Sequence, residues 1–572
     1  MANWRCTGAP LMLLTSLVLA LGLQAAPTGG LDRSEVVFMY GADEATYRSY
    51  GASFRSWGDR ARNDSAAALA EFAGWSLTPA RANGMRYATG LAFRTAFAEM
   101  IDYDPNFLDA ITRDLDGEPI LVPWLWDHEH KGHGAYWFCT NAPGYQRYLR
   151  WQARRAAVRD ADGVMVEGLH IDDYAGTSGC PGGCFCRYCM EGFAAWLAQH
   201  GSAADLERVG RDDWAGFDYA AWLQAEGVTA ETARERRWTV PLDRAYQTYQ
   251  VQAARDWVAE IKRYSEELRG APVLLSVNSS ASSADSLVIT PYLDFFCGEV
   301  DHHASADKVP DTPVFVAKLT DALGRGSAWT GSGWDWAYVK ANNRPGLVRT
   351  WVAQGYALGY SLMAPNRQWC YTPELGTHWY SAEPGDYDWL YRWVRAHRDL
   401  FDGYDPYPGG TLAVYSNPAF RNWRRELIDT VGWLTAQSQP FALALAGDDW
   451  LPDRLDPAAL AAARAIVLRE PASLDAEQRA LLEAQGERLI VISAEPDEAE
   501  LTAAAGRLAQ LDPPAAVVEG APGVVAMPRV RDDGAVVIHL LNRNYDPTID
   551  GVREAPAVRL RLRGDLAAAR AT

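Results

Sequence analysis

The stretch Gly168-Leu-His-Ile-Asp-Asp-Tyr174 is a short apolar run that ends in two adjacent carboxylates and breaks into a loop rich in glycine and cysteine. Parallel barrels deliver acids to a working face in this way, at the carboxyl ends of their strands. Seven further β-rich runs lie around it: Val36–Tyr40, Met85–Thr89, Ile120–Trp124, Val273–Val277, Leu293–Cys297, Val314–Ala317 and Tyr360–Met363. Apolar residues at helical spacing fill the intervals, most clearly over Tyr246–Leu268. Eight strands alternating with helices predict the α/β class and a (β/α)8 TIM barrel over residues 33–405. An open doubly wound sheet is the alternative.

Past residue 407 tryptophan thins out and alanine becomes common. Thr411–Ser416, Phe441–Leu445, Ala465–Leu468 and Leu489–Ser493 alternate with helical segments such as Asp475–Gln485, which predicts a small parallel α/β module over 408–513. It carries no Gly-rich phosphate loop, so no nucleotide or other organic cofactor is expected. From 514 to 572 the chain turns to β-structure, with a hairpin expected from Val524–Val530, a turn at Asp532-Asp533-Gly534, and Ala535–Leu541.

At the other end, Arg5, the apolar run Leu11–Leu23 and the small residues that follow read as a signal peptide over 1–26, which predicts a secreted or periplasmic protein. No later run approaches the roughly 20 apolar residues of a spanning helix, so no membrane contact is expected after leader cleavage. A net charge of −19 without a lysine or arginine block argues against nucleic acid as a partner. The 23 tryptophans and 26 tyrosines suit a carbohydrate, because aromatic faces pack on the C–H faces of sugars.

His170-Ile-Asp-Asp-Tyr174, the run Cys184-Phe-Cys-Arg-Tyr-Cys189, Phe193-Ala-Ala-Trp-Leu197 and the upstream Phe138-Cys-Thr-Asn-Ala-Pro-Gly-Tyr145 together resemble the fourth-strand region of glycoside hydrolase family 42 β-galactosidases. The resemblance implies a barrel, then a flavodoxin-like module, then a small β module, and an oligomer, commonly a trimer. It also implies a structural zinc on Cys139, Cys184, Cys186 and Cys189, with Cys180 a rival ligand. Disulfides are the alternative for an exported chain, although seven cysteines remain once the leader is removed. Asp173 falls where the family's acid/base precedes a tyrosine, and Asp172 falls just before it. The family's seventh-strand glutamate is absent: Pro313-Val-Phe-Val-Ala-Lys318 places Lys318 there.

A lysine cannot form a glycosyl ester, so the second carboxylate is sought at the sixth strand, where Glu299 ends Phe295-Phe-Cys-Gly-Glu299. Hydrolysis of a glycosidic bond uses two carboxyl groups flanking that bond, here Glu299 with Asp173 or Asp172. Neighbours on an extended strand point to opposite faces, so one aspartate of the two is expected at the reacting centre. The fourth-strand Asp with a sixth-strand acid also fits an α-glycosidase, and a barrel that binds carbohydrate without cleaving it is the competing class. Arg86, Trp126, Asp127, His128, Asn278, His302, Lys318, Trp334, Asn366 and Arg367, read as strand-end polar or aromatic residues, are the candidate sugar contacts.

Overall fold

The computed structural model describes residues 30–563 apart from 177–182, 236–238, 282–283, 417–423 and 556. The expected leader and Cys180 therefore lie outside the described residues.

Eight parallel strands follow one another around a single sheet: β1 (Val37–Phe38), β2 (Phe54–Gly58), β3 (Arg86–Ala92), β4 (Gly168–Asp172), β5 (Leu274–Val277), β6 (Phe295–Glu299), β7 (Gly326–Thr330) and β8 (Ser361–Leu362). The amide of Ala364 donates to the carbonyl of Val37 at 2.8 Å, which brings the last strand back to the first. Val37, Phe54, Ala88, Phe295, Cys297, Ala328 and Met363 pack together as a core drawn from strands all round the sheet, the filled interior of a TIM barrel. Helices α1 (Glu44–Tyr50), α2 (Ala66–Phe72), α3 (Pro143–Ala156), α4 (Arg187–His200), α5 (Asp243–Arg269), α6 (Thr312–Ala322), α7 (Gly333–Asn342), α8 (Pro345–Leu358) and α9 (Asp388–Ala396) alternate with the strands.

The barrel is the one expected, but two of its strands are not. Ile120–Trp124 forms one isolated antiparallel bridge, Leu121 to Tyr136, and the start of a 3-10 turn in the long excursion between β3 and α3. Val314–Ala317 is helix, inside α6. Pro313 suits the first turn of that helix, and the segment Thr312–Ala317 is buried throughout because α6 packs against the barrel and also against the second sheet. An element apolar on every side loses its helical stripe and reads like a buried strand. The true second and seventh strands, Phe-Arg-Ser-Trp-Gly and Gly-Ser-Ala-Trp-Thr, lack an apolar run because Arg55, Ser56, Ser327 and Thr330 are buried polar residues. Arg55 is held by Asp59 at 2.7 Å, and Thr330 bonds Gln368 at 3.0 Å.

After β8 the chain makes an antiparallel hairpin, β9 (Arg367–Thr372) and β10 (Gly376–Ser381), with Trp369 opposite Trp379. A short strand β11 (Tyr404–Pro406) then leads into four parallel strands: β12 (Thr411–Ser416), β13 (Phe441–Ala446), β14 (Ala465–Arg469) and β15 (Leu489–Ile492). Their order in the sheet is β13-β12-β14-β15, that is 2-1-3-4, the order in which a flavodoxin-type sheet begins. The last region holds β16 (Ala516–Glu519), β17 (Val524–Arg531), β18 (Val536–Asn542) and β19 (Arg559–Leu562). β17 and β18 form the hairpin foreseen around Asp532-Asp533-Gly534 and extend β11, while β16 pairs with β19.

Candidate active site

Asp172 ends β4, Glu299 ends β6 and Asn278 follows β5, so three successive strands aim polar side chains at the same end of the barrel. They meet in a cavity of about 1130 Å³ whose other walls include Tyr40, Trp57, Trp124, Trp334, Trp369 and Tyr371. Asp172 and Asp173 both line it, against the expectation that one of them would. The strand stops at Asp172, and Asp173 turns into the left-handed region at φ 50°, so the alternation of an extended chain no longer applies there. Trp57 reaches the cavity by a related device. The register shifts between Arg55 and Gly58, Trp57 sits at φ 51°, and its ring lies 3.9 Å from that of His170. Gly58 beside it has no room for a side chain, since a Cβ would come within 2.6 Å of the Ala88 carbonyl.

The carboxylates differ in their surroundings. Asp172 Oδ1 accepts from Asn278 Nδ2 at 2.9 Å and from the Asp173 amide at 3.0 Å. Asp173 receives a short hydrogen bond from Thr95 Oγ1. No side-chain hydrogen bond joins Glu299 to the described residues. Burial, with Asp172 adding like charge, pushes the Asp173 carboxyl up to about 8. Burial likewise pushes Glu299 up to about 8, with Asp173 and Asp172 repelling its charge. Tyr40, half-buried beside the same three acids, is held well above the usual phenol range by desolvation and then by their charge, and stays a hydrogen-bond donor.

Glu99 also lines the cavity, but its chemistry is different. Burial raises its carboxyl, yet the guanidinium groups of Arg155 and Arg60, at 2.9 and 2.7 Å, outweigh burial and hold it at about 2. Glu99 is therefore a fixed anion in an ion-pair network. The site thus combines proton-holding acids at β4 and β6 with an Asp172 carboxylate oriented by two donors. Beneath them in the barrel, His170 Nδ1 lies 2.9 Å from Ser276 Oγ, and burial holds that ring neutral.

Of the sugar contacts expected from sequence, Asn278 and Trp334 line the cavity. Arg86 begins β3 rather than ending a strand, and its guanidinium pairs with Glu35 at the opposite end of the barrel. Lys318 lies on α6, where its Nζ donates to the carbonyl of Phe441 in the second sheet at 3.0 Å. His302 is buried beneath the mouth, with its ring 4.5 Å from Trp351. Trp126, Asp127 and His128 belong to the β3–α3 excursion, Asp127 pairing with His128 at 2.9 Å. Asn366 and Arg367 open the post-β8 hairpin, and Arg367 covers the ring of Trp379 at 4.0 Å. Sequence reasoning passed over Trp57, Trp369 and Tyr371. A hairpin carrying Trp369, Tyr371 and Trp379 just after the eighth strand is the signal that could have found the last two.

Behind the Asp172–Asp173 turn, the sulfurs of Cys139, Cys184, Cys186 and Cys189 gather within 4.8 Å of one another, all buried and none disulfide-bonded. Cys139 Sγ is 3.4 Å from Cys189 and 3.6 Å from Cys186. A zinc bound by four thiolates at about 2.3 Å sets its sulfurs about 3.8 Å apart, whereas a disulfide needs about 2.05 Å. The four thiols therefore fit a tetrahedral metal and do not fit a pair of disulfides. Cys139 precedes α3 and the other three enter α4, so a metal here would tie both helices behind the β4 loop.

No protein-family model matches the chain. Among characterised proteins it is 23% identical over 540 residues to an α-agarase of Thalassotalea agarivorans, covering 89% of this chain and 35% of that protein. It is also 23% identical over 464 residues to an α-agarase of Alteromonas agarilytica, covering 78% of this chain and 32% of that protein. The chain thus spans about a third of the length of these relatives. Among solved structures, α-L-fucosidase isoenzyme 2 of Paenibacillus thiaminolyticus superposes with a TM-score of 0.50 at 12% identity, over 90% of this chain and 72% of that one, a likeness of fold.

Proposed function

We propose that this chain is a glycoside hydrolase that cleaves an α-linked galactan of the agar type. Glu299 acts as the acid that protonates the leaving oxygen, and Asp172 as the carboxylate that attacks or activates water. The observation that carries the reading is the meeting of Asp172, Asp173 and Glu299 in one aromatic-walled cavity, with Glu299 pushed up to about 8. A carboxyl that keeps its proton at neutral pH can deliver it to a glycosidic oxygen, while a neighbour held by two hydrogen-bond donors serves as the anion. Asp173, protonated and tethered to Thr95, then limits charge repulsion between the two.

The α-linkage and the agar substrate rest on the two α-agarase relatives, and a neutral polymer suits the absence of a cationic block. The resemblance to family 42 supports the metal-binding loop rather than β-galactosidase chemistry. β7 ends at Thr330, so no glutamate stands at the seventh-strand position, and Lys318 does not replace one. The leader supports export, the four cysteines support a structural zinc, and the 2-1-3-4 sheet supports a flavodoxin-like module that could carry oligomer contacts.

Purified protein incubated with agar and, in parallel, with α- and β-linked aryl galactosides tests the reading by release of reducing ends. Wild type should cleave agar, and Asp172→Asn should lower kcat by about 10³-fold or more with the melting profile preserved. Full turnover in Asp172→Asn would remove that residue from the reaction. Binding of agar without any release would transfer the chain to the non-catalytic class.

A further inference from the structure

A second chamber of about 610 Å³ lies beside the mouth and shares Trp334 with it. Three elements wall it: the loop after β6 with Asp301 and His303, the outer face of α7 with Tyr338 and Lys340, and the post-β8 hairpin with Leu375 and His378. That loop follows directly on Glu299, the last residue of β6, so the chamber begins two residues beyond the proposed acid. That loop is held rigidly. Buried Asp335, in the first turn of α7, accepts from the amides of His302 and Ala304 at 2.8 Å each and from that of Ser332 at 2.9 Å. Such fixing places a binding surface in advance of its ligand.

The walls combine apolar and polar groups in the manner of a sugar site. Trp334 is 54% exposed and Leu375 69%, which leaves apolar surface open to solvent. The ring of Trp334 meets Tyr371 edge-on at 5.6 Å, so the aromatic line of the mouth runs on into the chamber. His378 Nδ1 lies 3.1 Å from the carbonyl of Gly376, which accepts only, so Nδ1 carries the proton and Nε2 presents a lone pair. Lys340 has no ion pair among the described residues, and His303 faces Asp301 at 3.2 Å. An acceptor, a cationic donor and a donor–acceptor pair around exposed apolar surface complement a ligand that alternates hydroxyl groups with C–H faces.

We infer that this chamber is a remote glycan subsite, which holds sugar units of the polymer beyond those in contact with the carboxylates. The assignment rests on the proposed hydrolase reading for its substrate, and on the shared Trp334 for its continuity with the mouth. A subsite of this kind binds long chains and contributes nothing to a substrate that ends within the mouth.

The test pairs His378→Ala and Lys340→Ala, singly and combined, with two readouts: kcat/KM on agar-derived oligosaccharides of increasing length, and retardation of the protein in agarose-containing native gels. The double variant should lose about tenfold in kcat/KM on the longest oligosaccharides and stay within twofold on an aryl glycoside, with weakened retardation. A uniform loss at every length, or no loss at any, would overturn the subsite. If wild type hydrolyses none of these substrates, the hydrolase reading fails while the gel still decides. Retardation of wild type that the double variant loses would uphold the subsite, and wild type running unretarded would remove it.

Discussion

Replacing Glu299 by glutamine should make the protein more stable and catalytically inert at the same time. The Glu299 carboxyl is raised from its ordinary 4.5 to about 8 in the folded chain, through burial first and then through Asp173 and Asp172. Between those values the native state keeps the proton and the unfolded chain releases it. The native state therefore binds more protons, and stability falls as pH rises across that window. At pH 7 the unfolded chain gains about 3 kcal/mol from ionising a group that the fold keeps neutral, an upper figure for one carboxyl. Glutamine fills nearly the same volume without that penalty. With an unfolding entropy of about 2.1 cal/mol/K per residue, 3 kcal/mol corresponds to roughly 3 °C in a chain of this size. Calorimetric melting of wild type and Glu299→Gln at pH 4 and pH 7 measures it, the variant melting about 3 °C higher at pH 7 and level with wild type at pH 4. Turnover on agar should fall by about 10²- to 10⁴-fold, because an amide cannot deliver the proton. An equal melting difference at both pH values, or a variant less stable at pH 7, would refute the buried neutral carboxyl, and the assignment of Glu299 as acid with it.

The metal loop gives a second expectation: elemental analysis should find about one zinc per chain, and Cys189→Ser should lower both zinc content and melting temperature, since metal binding is linked to folding. Stoichiometric metal in wild type with no loss of stability in the variant would separate the metal from the fold. Lys318→Met should leave kcat/KM on agar unchanged within twofold. The Lys318 ammonium reaches Phe441 of the second sheet rather than the mouth, and a large loss of turnover with intact folding would show that the barrel face had been misjudged.

The strands whose side chains face an apolar interior were legible in the sequence. Val36–Tyr40, Leu169–Asp172, Val273–Val277 and Phe295–Glu299 carry β-branched or aromatic residues in runs that no surface helix would tolerate, and from them follow the barrel and both of its acid-bearing strand ends. The family resemblance likewise implied the four thiols that the fold brings together, Cys139 among them, which spacing alone could not have singled out. The second and seventh strands escaped because buried positions in them are polar, satisfied by partners that only the fold reveals, Asp59 four residues beyond Arg55 and Gln368 far along the chain from Thr330. The first half of α6, Thr312–Ala317, reads as a strand because the barrel and the second sheet both bury it, and a helical segment covered on all sides has no polar face to reveal its period.

What the sequence alone determined about this protein is its α/β class, the alternation of strands and helices that makes a barrel, and the strand ends at Asp172 and Glu299, since local patterning carries that information. Only the tertiary structure decided that both aspartates reach the cavity, that Lys318 and Arg86 do not, and that Trp57, Trp369 and Tyr371 form its walls. Those outcomes depend on a left-handed turn at Asp173, a register shift at Trp57 and a hairpin folded over the mouth, each fixed by packing between segments distant in the chain.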